Sequence, residues 1–349
     1  MGGSEFQVSC IVERLVDLNR YDLFYLARRV KPGFVSSGYE VVKVADWRGF
    51  RRFGEFLDAP KLANALKAIK PDVIYQRVGC GYTGIAAYYA RRSGCKFVWH
   101  VAHEMEVEPF NRVISKNMGF RYIDKKVLEY GIRHATDIIV QTRRQQELLK
   151  QHYNRMSTVR IENGHPFPRE KIAKAKVIEI VWVANLKPWK QPEIFARLAR
   201  DLEPSHDVRF TMIGSSAWSA ERHAEFLRQI ENQRNLTYLG GCTQDEVNAT
   251  LARAHIFVNT SVHEGFPNTF IQAWMRQVPV VTLNVNPDDV LTDKRFGLIS
   301  NTYEKMKQDI AYLIENPDVR HKMGADAQTY AFATYSMKNI DKVIEVITV

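Results

Sequence analysis

The stretch His263-Glu264-Gly265-Phe266-Pro267-Asn268, which runs on through Gln272 to Val280-Val281, decides the fold of this chain. An acidic residue opens a Gly-Phe-Pro turn, an Asn is predicted to cap a helix over Thr269–Arg276, and an apolar strand follows. The free N–H groups and the positive dipole end of such a helix would face the turn, where an anionic or hydroxyl-rich ligand would sit. Taken alone, the turn is equally consistent with an ordinary connection between a strand and a helix.

Short apolar, β-branched runs alternate with helical patterns on both sides of this stretch. Such alternation is typical of parallel sheets that are covered by helices on both faces. Pro166, Pro168 and the charged stretch 169–176 mark the boundary between two such units. The predicted strands are Tyr39–Val44, Asp72–Tyr75, Lys96–Val101, Asp137–Val140, Thr158–Ile161, Val177–Val183, Val208–Ile213, Leu236–Leu239, Ile256–Val258 and Val278–Leu283.

Length and composition agree with a two-domain globular protein. The 349 residues are enough for two hydrophobic cores, and an apolar content of 45% excludes wholesale disorder. No run reaches the roughly 18 apolar residues of a membrane span, and no signal-peptide pattern opens the chain. The four cysteines form no C-x-x-C pair and have no His at ligand spacing. We therefore interpret them as small buried hydrophobes in a reducing compartment.

The stretch from Ser261 to Gln272 resembles the donor-sugar motif of the retaining glycosyltransferases of family four. In that family two Glu residues bracket a Gly-Phe-Pro turn within a Ser-x-x-Glu-Gly-Phe-Pro pattern. Ser261, Glu264 and the turn match, whereas Gln272 stands at the position of the second Glu.

Other family motifs follow in the expected order along the whole chain. An ordered set of matches is far more specific than any one of them. These further matches are the Gly-Gly loop at Gly2-Gly3, the pair His103-Glu104 after an apolar strand, the linker signature Asn163-Gly164, and Val183-Ala184-Asn185-Leu186 with Lys190, which resembles the Gly-Arg…Lys phosphate clamp.

The resemblance implies the GT-B fold, an α/β architecture of two Rossmann-like, doubly wound parallel-sheet domains that face a cleft. We expect an acceptor-side domain at residues 1–165 and a nucleotide-sugar donor domain at 166–334. The closing helix, within 335–349, is expected to pack back on the first domain. Ligands of open α/β sheets bind at the carboxyl ends of strands, where the matched motifs fall, so we expect one shared site between the domains.

The chemistry of each residue suggests its role at that site. Lys190 suits the negative charge that develops on a departing nucleoside diphosphate. Glu264 can bond sugar hydroxyls or balance an oxocarbenium-like centre, and Gln272 would reach ribose hydroxyls. His103 could bond the transferring sugar or the acceptor. The expected catalytic residues are Glu264, Lys190 and His103; those expected to bind the donor are Gly2, Gly3, Asn185, Lys190, Gly214, Ser215, Glu264, Gly265, Phe266, Pro267, Asn268 and Gln272.

The net positive charge of the chain comes entirely from its first half. Residues 1–168 carry 27 Lys and Arg against 17 Asp and Glu, whereas residues 169–349 carry 22 of each. This excess of basic residues favours binding to an anionic membrane or to a lipid-pyrophosphate acceptor. The alternative is an ordinary solvated basic surface. Nucleic acid is disfavoured as a partner because no nucleic-acid reading motif is present. The basic clusters are Arg28-Arg29-Lys31, Arg48-Arg51-Arg52, Arg91-Arg92, Lys125-Lys126 and Arg143-Arg144.

The chain also departs from the family pattern. Gln272 loses the charge of the second Glu, and Asn185 replaces a common Arg, which removes a bidentate phosphate donor. The family has an apolar strand before the Gly-Gly loop, so we expect either that the N-terminus is truncated or that this strand has been lost.

The sequence thus predicts a retaining, metal-independent glycosyltransferase that moves a hexose from a nucleotide sugar to a glycan or lipid-linked acceptor. The donor would be UDP- or GDP-linked, and neither a cofactor nor an Asp-x-Asp metal pair is expected. The expected location is cytoplasmic, with peripheral binding at the inner face of the membrane. The alternatives are a nucleotide-sugar epimerase of the same fold, for which Glu104 and Glu106 could serve as acid and base, and an inactive sugar- or polyanion-binding relative.

Overall fold

The computed structural model describes residues 2–28, 30, 32–44, 55–109, 118–203 and 207–348. The chain divides into two compact units. The N-terminal unit comprises residues 2–164 together with 337–349, and the C-terminal unit comprises residues 165–336. The predicted basic cluster Arg48-Arg51-Arg52, and Arg29 and Lys31 of the first cluster, lie outside the described residues.

The described residues of the N-terminal unit form two parallel sheets flanked by helices. One sheet pairs β1 (Phe24–Ala27) with β2 (Glu40–Lys43). The other has the order β3-β4-β5-β6, with β3 at Val73–Arg77, β4 at Lys96–His100, β5 at Asp137–Val140 and β6 at Val159–Arg160. The helices are α1 (Gly3–Leu18), α2 (Ala59–Ile69), α3 (Gly81–Ser93), α4 (Glu104–Val107), α5 (Met118–His134), α6 (Arg143–Tyr153) and α14 (Lys338–Thr348).

Helix α14 belongs to the N-terminal unit although it closes the chain. Its apolar face joins α1 in one hydrophobic cluster that includes Ile11, Ile340 and Ile344. Arg14 adds an exposed ion pair of 2.7 Å to Asp341. Burial of the apolar face supplies most of this attachment, because exposed ion pairs contribute about 0–1 kcal/mol.

The crossing of α3 and α5 depends on two glycines. A Cβ atom at Gly84 would lie 2.0 Å from the carbonyl oxygen of Val127, and one at Gly131 would lie 2.6 Å from the backbone of Thr83. Both contacts involve backbone atoms, which cannot move aside as a flexible side chain can. The two helices therefore approach closely, and they cover the buried strand β4.

The C-terminal unit is built on one six-stranded parallel sheet with helices on both faces. Its strand order is β12-β11-β10-β7-β8-β9. The strands are β7 (Ile178–Val183), β8 (Val208–Ile213), β9 (Leu236–Tyr238), β10 (Ile256–Asn259), β11 (Val280–Thr282) and β12 (Gly297–Ile299). The helices are α7 (Pro192–Leu202), α8 (Ala220–Ile230), α9 (Gln244–Arg253), α10 (Asn268–Trp274), α11 (Val290–Lys294), α12 (Tyr303–Glu315) and α13 (Pro317–Thr334).

The predicted α/β class with parallel sheets is confirmed, and several details of the prediction are wrong. Strands β1 and β12 were not predicted. The helix expected over Thr269–Arg276 runs from Asn268 to Trp274, and Pro267 rather than Asn268 is its N-cap. Pro267 adopts an extended backbone that ends the turn, so Asn268 is already the first helical residue.

Candidate active site

The carboxyl ends of β7 and β10, which are neighbours in the C-terminal sheet, bring Lys190 and Glu264 together. Lys190 ends a short 3-10 segment, Pro188–Lys190, that follows β7, and Glu264 lies in the loop after β10. The Lys190 ammonium forms an ion pair with Oε1 of Glu264. Ser261 Oγ donates a second hydrogen bond of 2.7 Å to the same oxygen. The two charged side chains are 17% and 15% exposed, so a ligand can still reach them.

The loops that carry Lys190 and Glu264 are joined to each other by buried hydrogen bonds. Thr260 Oγ1 donates to the carbonyl oxygen of Lys190 over 2.6 Å, and it accepts from the indole of buried Trp182 over 2.9 Å. The backbone N–H of Val262 donates to the carbonyl oxygen of Trp189 over 2.8 Å. Because these bonds link the two loops directly, the distance between the ammonium and the carboxylate does not depend on long flexible side chains alone.

The loop after β8 lies beside the loop after β7. A Cβ atom at Gly214 would lie 1.7 Å from the carbonyl oxygen of Ala184, so only glycine allows this approach. Leu186 donates its backbone N–H to the carbonyl oxygen of Ser215 over 2.9 Å. The predicted donor-binding residues Asn185 and Ser215 are exposed at this edge, whereas Gly214 is buried.

The Gly-Phe-Pro turn is anchored in the core of the C-terminal unit. The ring of Phe266 packs against Trp274 and Tyr335 at centroid distances of 6.2 and 5.1 Å. Phe266 is half-buried in this position, so these contacts fix the ring while part of it stays exposed. Asn268 does not cap α10, and its Oδ1 lies 3.2 Å from Nε2 of His165.

Gln272 is 5% exposed on α10, and its side chain is held by two amides of α9. Its Nε2 donates to Gln244 Oε1 and to Asn248 Oδ1, each over 2.9 Å. Sequence reasoning missed both partners. Their spacing of four residues was the available signal, because residues four apart on a helix share one face.

The remaining predicted site residues belong to the N-terminal unit. His103 is the N-cap of α4, and its Nδ1 accepts the backbone N–H of Met105 over 3.1 Å. Gly2 is the N-cap of α1, and Gly3 is the first residue of that helix. These three residues are thus not part of the sheet that carries Lys190 and Glu264.

Glu106 is a buried carboxyl group close to His103 that sequence reasoning mentioned only for an epimerase. Its Oε2 accepts the backbone N–H of Gly79 over 2.8 Å and that of Ala102 over 3.2 Å. These residues follow β3 and β4, so the carboxyl group ties two strand ends together. Burial raises the pKa of Glu106 to about 7 from an ordinary value of 4.5.

The Asn163-Gly164 motif has a structural role within the N-terminal unit. Gln7 forms two hydrogen bonds with the backbone of Gly164, at 2.8 and 3.0 Å. The Oδ1 of Asn163 accepts from the Arg77 guanidinium over 2.6 Å. The motif therefore attaches the segment after β6 to α1 and to the end of β3.

The described part of the chain has two further features. None of its helices combines the length and the apolar character needed to cross a bilayer. The same residues contain no group of three or more His, Cys, Asp or Glu side chains placed to hold a metal ion.

Comparison with known proteins identifies the C-terminal unit. Residues 166–330 match the family model described as glycosyl transferases group 1. This half of the chain is a glycosyltransferase domain. The curated proteins contain no match to the chain.

Solved structures with the GT-B fold superpose on nearly the whole chain. Sucrose-phosphate synthase from Thermosynechococcus elongatus has 15% identity and a TM-score of 0.80, over 99% of this chain and 92% of that one. WaaG, a glycosyltransferase of lipopolysaccharide biosynthesis, has 14% identity and a TM-score of 0.79, over 100% and 96%. Anabaena Alr3699/HepE, solved with UDP-glucose, has 15% identity and a TM-score of 0.75, over 99% and 95%. At these identities the likeness defines the fold, which is GT-B.

Proposed function

We propose that this glycosyltransferase is a retaining enzyme that moves a hexose from a nucleotide sugar to a glycan or lipid-linked acceptor without a metal ion. The observation that carries the proposal is the pairing of Lys190 with Glu264 at adjacent strand ends. One group is a compact cation suited to phosphate, and the other is a carboxylate suited to sugar hydroxyls. Their adjacency matches a substrate in which a diphosphate and a sugar are directly joined.

In the proposed reaction the bond between the anomeric carbon and the diphosphate oxygen breaks, and a hydroxyl oxygen of the acceptor forms a bond to the same face of that carbon. The hydroxyl proton passes to the departing diphosphate. Negative charge then grows on the diphosphate, which the Lys190 ammonium stabilises. Positive charge grows at the anomeric carbon, and Glu264 is placed to oppose it or to hold a sugar hydroxyl. In the free protein the two side chains neutralise each other and are preorganised for these opposite charges. Ser261 keeps the Glu264 carboxylate in place when Lys190 turns to the phosphate.

A binding panel tests the donor class. Because HepE was solved with UDP-glucose, UDP and UDP-glucose are the first ligands to test, followed by GDP and GDP-mannose. Isothermal titration should show binding of one nucleoside diphosphate and of its sugar conjugate. Failure of every nucleotide and nucleotide sugar to bind a folded protein would contradict the proposal and favour the inactive relative.

The stereochemical and metal assignments need separate measurements. The anomeric configuration of the first-formed product, followed by proton NMR, should equal that of the donor. Turnover should persist in excess chelator, because Lys190 supplies the positive charge at the phosphate. Inversion would contradict the first assignment, and activity that returns only with magnesium or manganese would contradict the second.

The alternative of an epimerase requires a further carboxylate that exchanges a proton with substrate. Glu106 has a pKa near the working pH of such a group, at about 7. However, its Oε2 is already occupied by two backbone N–H groups and the side chain is buried. This environment favours a positioning role, so transfer to an acceptor is the better-supported reaction.

A further inference from the structure

A small aromatic and apolar surface borders the ion pair of Lys190 and Glu264. It consists of Trp189, Val262 and His263, and is named the aromatic rim below. Trp189 directly precedes Lys190 in the chain, and His263 directly precedes Glu264. Trp189 is 41% exposed, Val262 is 49% exposed, and His263 is exposed as well. Neighbouring apolar side chains that face solvent beside a charged pair are typical of a surface that a ligand covers.

The aromatic rim is held in place by backbone and ring contacts. The backbone N–H of Val262 donates to the carbonyl oxygen of Trp189 over 2.8 Å, which joins the two loops at the rim. The imidazole of His263 lies nearly parallel to the indole, with 14° between the planes and 6.5 Å between the centroids. The ammonium of Lys187 lies 5.0 Å from the indole centroid. These contacts fix the position of the indole while part of its surface stays open to solvent.

The position of the aromatic rim suits the acceptor better than the donor. The diphosphate and the sugar of the donor are assigned to Lys190 and Glu264. In a transfer that retains configuration, the acceptor hydroxyl reaches the anomeric carbon on the face from which the diphosphate leaves. The acceptor must therefore lie beside the diphosphate, and hence beside the residue that holds it. Trp189 is the immediate chain neighbour of that residue, Lys190.

The chemistry of the indole selects one part of the acceptor. A pyranose ring has faces made of C–H groups, and these faces leave water favourably when they stack on a flat aromatic ring. A phosphate group has no such face, and an open-chain polyol has no fixed one. The exposed indole is therefore matched to a sugar ring rather than to a charged group.

We propose that Trp189 is the platform on which a pyranose ring of the acceptor stacks, so that one of its hydroxyls reaches the anomeric carbon of the donor. The proposal rests on the proposed function, because it names the class of acceptor that the same site takes. Trp189 then determines acceptor specificity, whereas Lys190 and Glu264 act on the donor. Val262 and His263 hold the platform at the edge of the site.

The experiment compares two fates of the donor, transfer to a sugar and hydrolysis by water. The nucleotide sugar that binds in the panel above is incubated with methyl α-glucopyranoside, methyl β-glucopyranoside, octyl β-glucopyranoside or glucitol, which has hydroxyls but no ring. Chromatography of the products gives the ratio of transfer to hydrolysis. Water needs no platform, so this ratio reports on the acceptor and does not depend on how much of the enzyme is folded. The wild-type enzyme should favour at least one pyranoside over glucitol by about tenfold.

Substitutions of Trp189 separate a flat ring from apolar surface in general. Trp189→Ala should lower the ratio for that pyranoside by about tenfold, because the platform is lost. Trp189→Phe keeps a flat ring and should keep most of the ratio. Trp189→Leu is apolar but not flat, so it should resemble Trp189→Ala. The matched control is Tyr312→Leu, which removes a ring of a residue that is 47% exposed on α12 of the same unit and should leave the ratio unchanged.

The outcomes distinguish the role of Trp189 from the proposed function. A wild-type protein that turns over no nucleotide sugar contradicts the proposed function itself. A wild-type enzyme that hydrolyses the donor but transfers to none of the pyranosides overturns the assignment of Trp189. So does a Trp189→Ala or Trp189→Leu variant that keeps the wild-type ratio. If Trp189→Ala lowers the affinity for the nucleoside diphosphate at an unchanged ratio, the indole stacks on the base of the donor and the proposal is wrong.

Discussion

At the scale of single residues, Lys190 and Glu264 have different expected roles although they form one ion pair. Lys190→Ala should raise the dissociation constant of the nucleoside diphosphate by about ten- to hundredfold, because it removes a hydrogen bond between charged groups. It should also lower kcat, by about a hundredfold, since the same charge stabilises the leaving group. Glu264→Ala should lower kcat and the affinity for the sugar conjugate only. Nucleoside diphosphate binding should be kept or improved in that variant, because the ammonium is released from its partner.

The matched control for Lys190 is Lys187, three residues earlier in the same loop. Its ammonium lies 5.0 Å from the ring centroid of Trp189, whereas the Glu264 carboxylate is paired with Lys190. Lys187→Ala should therefore leave both the calorimetric affinity and kcat close to wild type. Loss of nucleotide binding in a folded Glu264→Ala variant would show that Glu264 does not belong to the sugar part of the site.

Glu106 gives the N-terminal unit a pH-dependent stability. Burial is the largest cause of its raised pKa, opposed by the N–H groups of Ala102, Gly79 and His103 and by the charge of Arg77; Lys125 donates to its backbone carbonyl. Because the folded pKa of about 7 exceeds the ordinary 4.5, the contribution of Glu106 is fully present below pH 4.5. It is lost as the pH rises toward 7, because the unfolded state then gives up the proton more readily.

Glu106→Gln should remove this pH dependence while keeping an oxygen for the two backbone N–H groups. The melting temperature of the variant minus that of wild type, followed by scanning calorimetry, should rise between pH 4.5 and 7 and level off above. Glu108→Gln, at a half-buried position on the same segment, serves as the control and should show no such trend. A constant difference across this pH range would contradict the assignment.

At the scale of elements, the sequence predicted strands best where apolar, β-branched runs are long and buried. Strands β5 and β8 have the predicted limits. Strand β12 was missed because it has three residues and begins with Gly297, a residue that lowers strand propensity. The reason for that glycine is tertiary, since a Cβ atom there would lie 2.1 Å from the carbonyl oxygen of Val280 in the neighbouring strand.

The site could be predicted only in part for the same reason. Lys190 and Glu264 belong to recognisable motifs at strand ends, so both were predicted as site residues. Their direct ion pair was not predicted. The contacts of Gln272 with Gln244 and Asn248 join two different helices. No local pattern encodes which amide donates and which accepts, because that choice depends on how α9 packs on α10.

Two glycines of α5 provide an element-scale prediction with a built-in control. Gly131→Ala forces a methyl group against the backbone of Thr83 and should lower the free energy of unfolding by about 1–3 kcal/mol. A Cβ atom at Gly119, in the same helix, meets no atom of the described residues within 4 Å. Gly119→Ala should therefore raise that free energy by about 0.5–1 kcal/mol. Urea unfolding followed by circular dichroism measures both, and equal effects would contradict the close crossing of α3 and α5.

At the scale of the whole molecule, the likeness to GT-B structures was predictable because motifs spread along the chain limit the fold more than any single motif. The uneven charge is a second property of the whole molecule. Residues 1–168 have 27 basic against 17 acidic residues, whereas residues 169–349 have 22 of each. Since charged surfaces act over distances beyond single contacts, this asymmetry predicts where an anionic partner binds.

We therefore expect the N-terminal half to bind anionic membrane, or an anionic lipid-linked acceptor within it. Each basic residue near such a surface contributes about 1 kcal/mol, and this attraction is screened within about 8 Å at physiological salt. Co-sedimentation should occur with vesicles that contain phosphatidylserine or phosphatidylglycerol, and it should fall as salt is raised.

Charge reversal separates the two halves in this assay. Arg48→Glu, Arg51→Glu and Arg52→Glu together should weaken sedimentation, because they turn a basic cluster acidic. The matched control reverses Lys171, Arg234 and Lys294, which are exposed in the C-terminal unit, and changes the net charge by the same amount. Equal weakening by both triple variants would mean that net charge alone drives binding. Equal sedimentation with neutral and anionic vesicles, or with neither, would leave the basic half as an ordinary solvated surface.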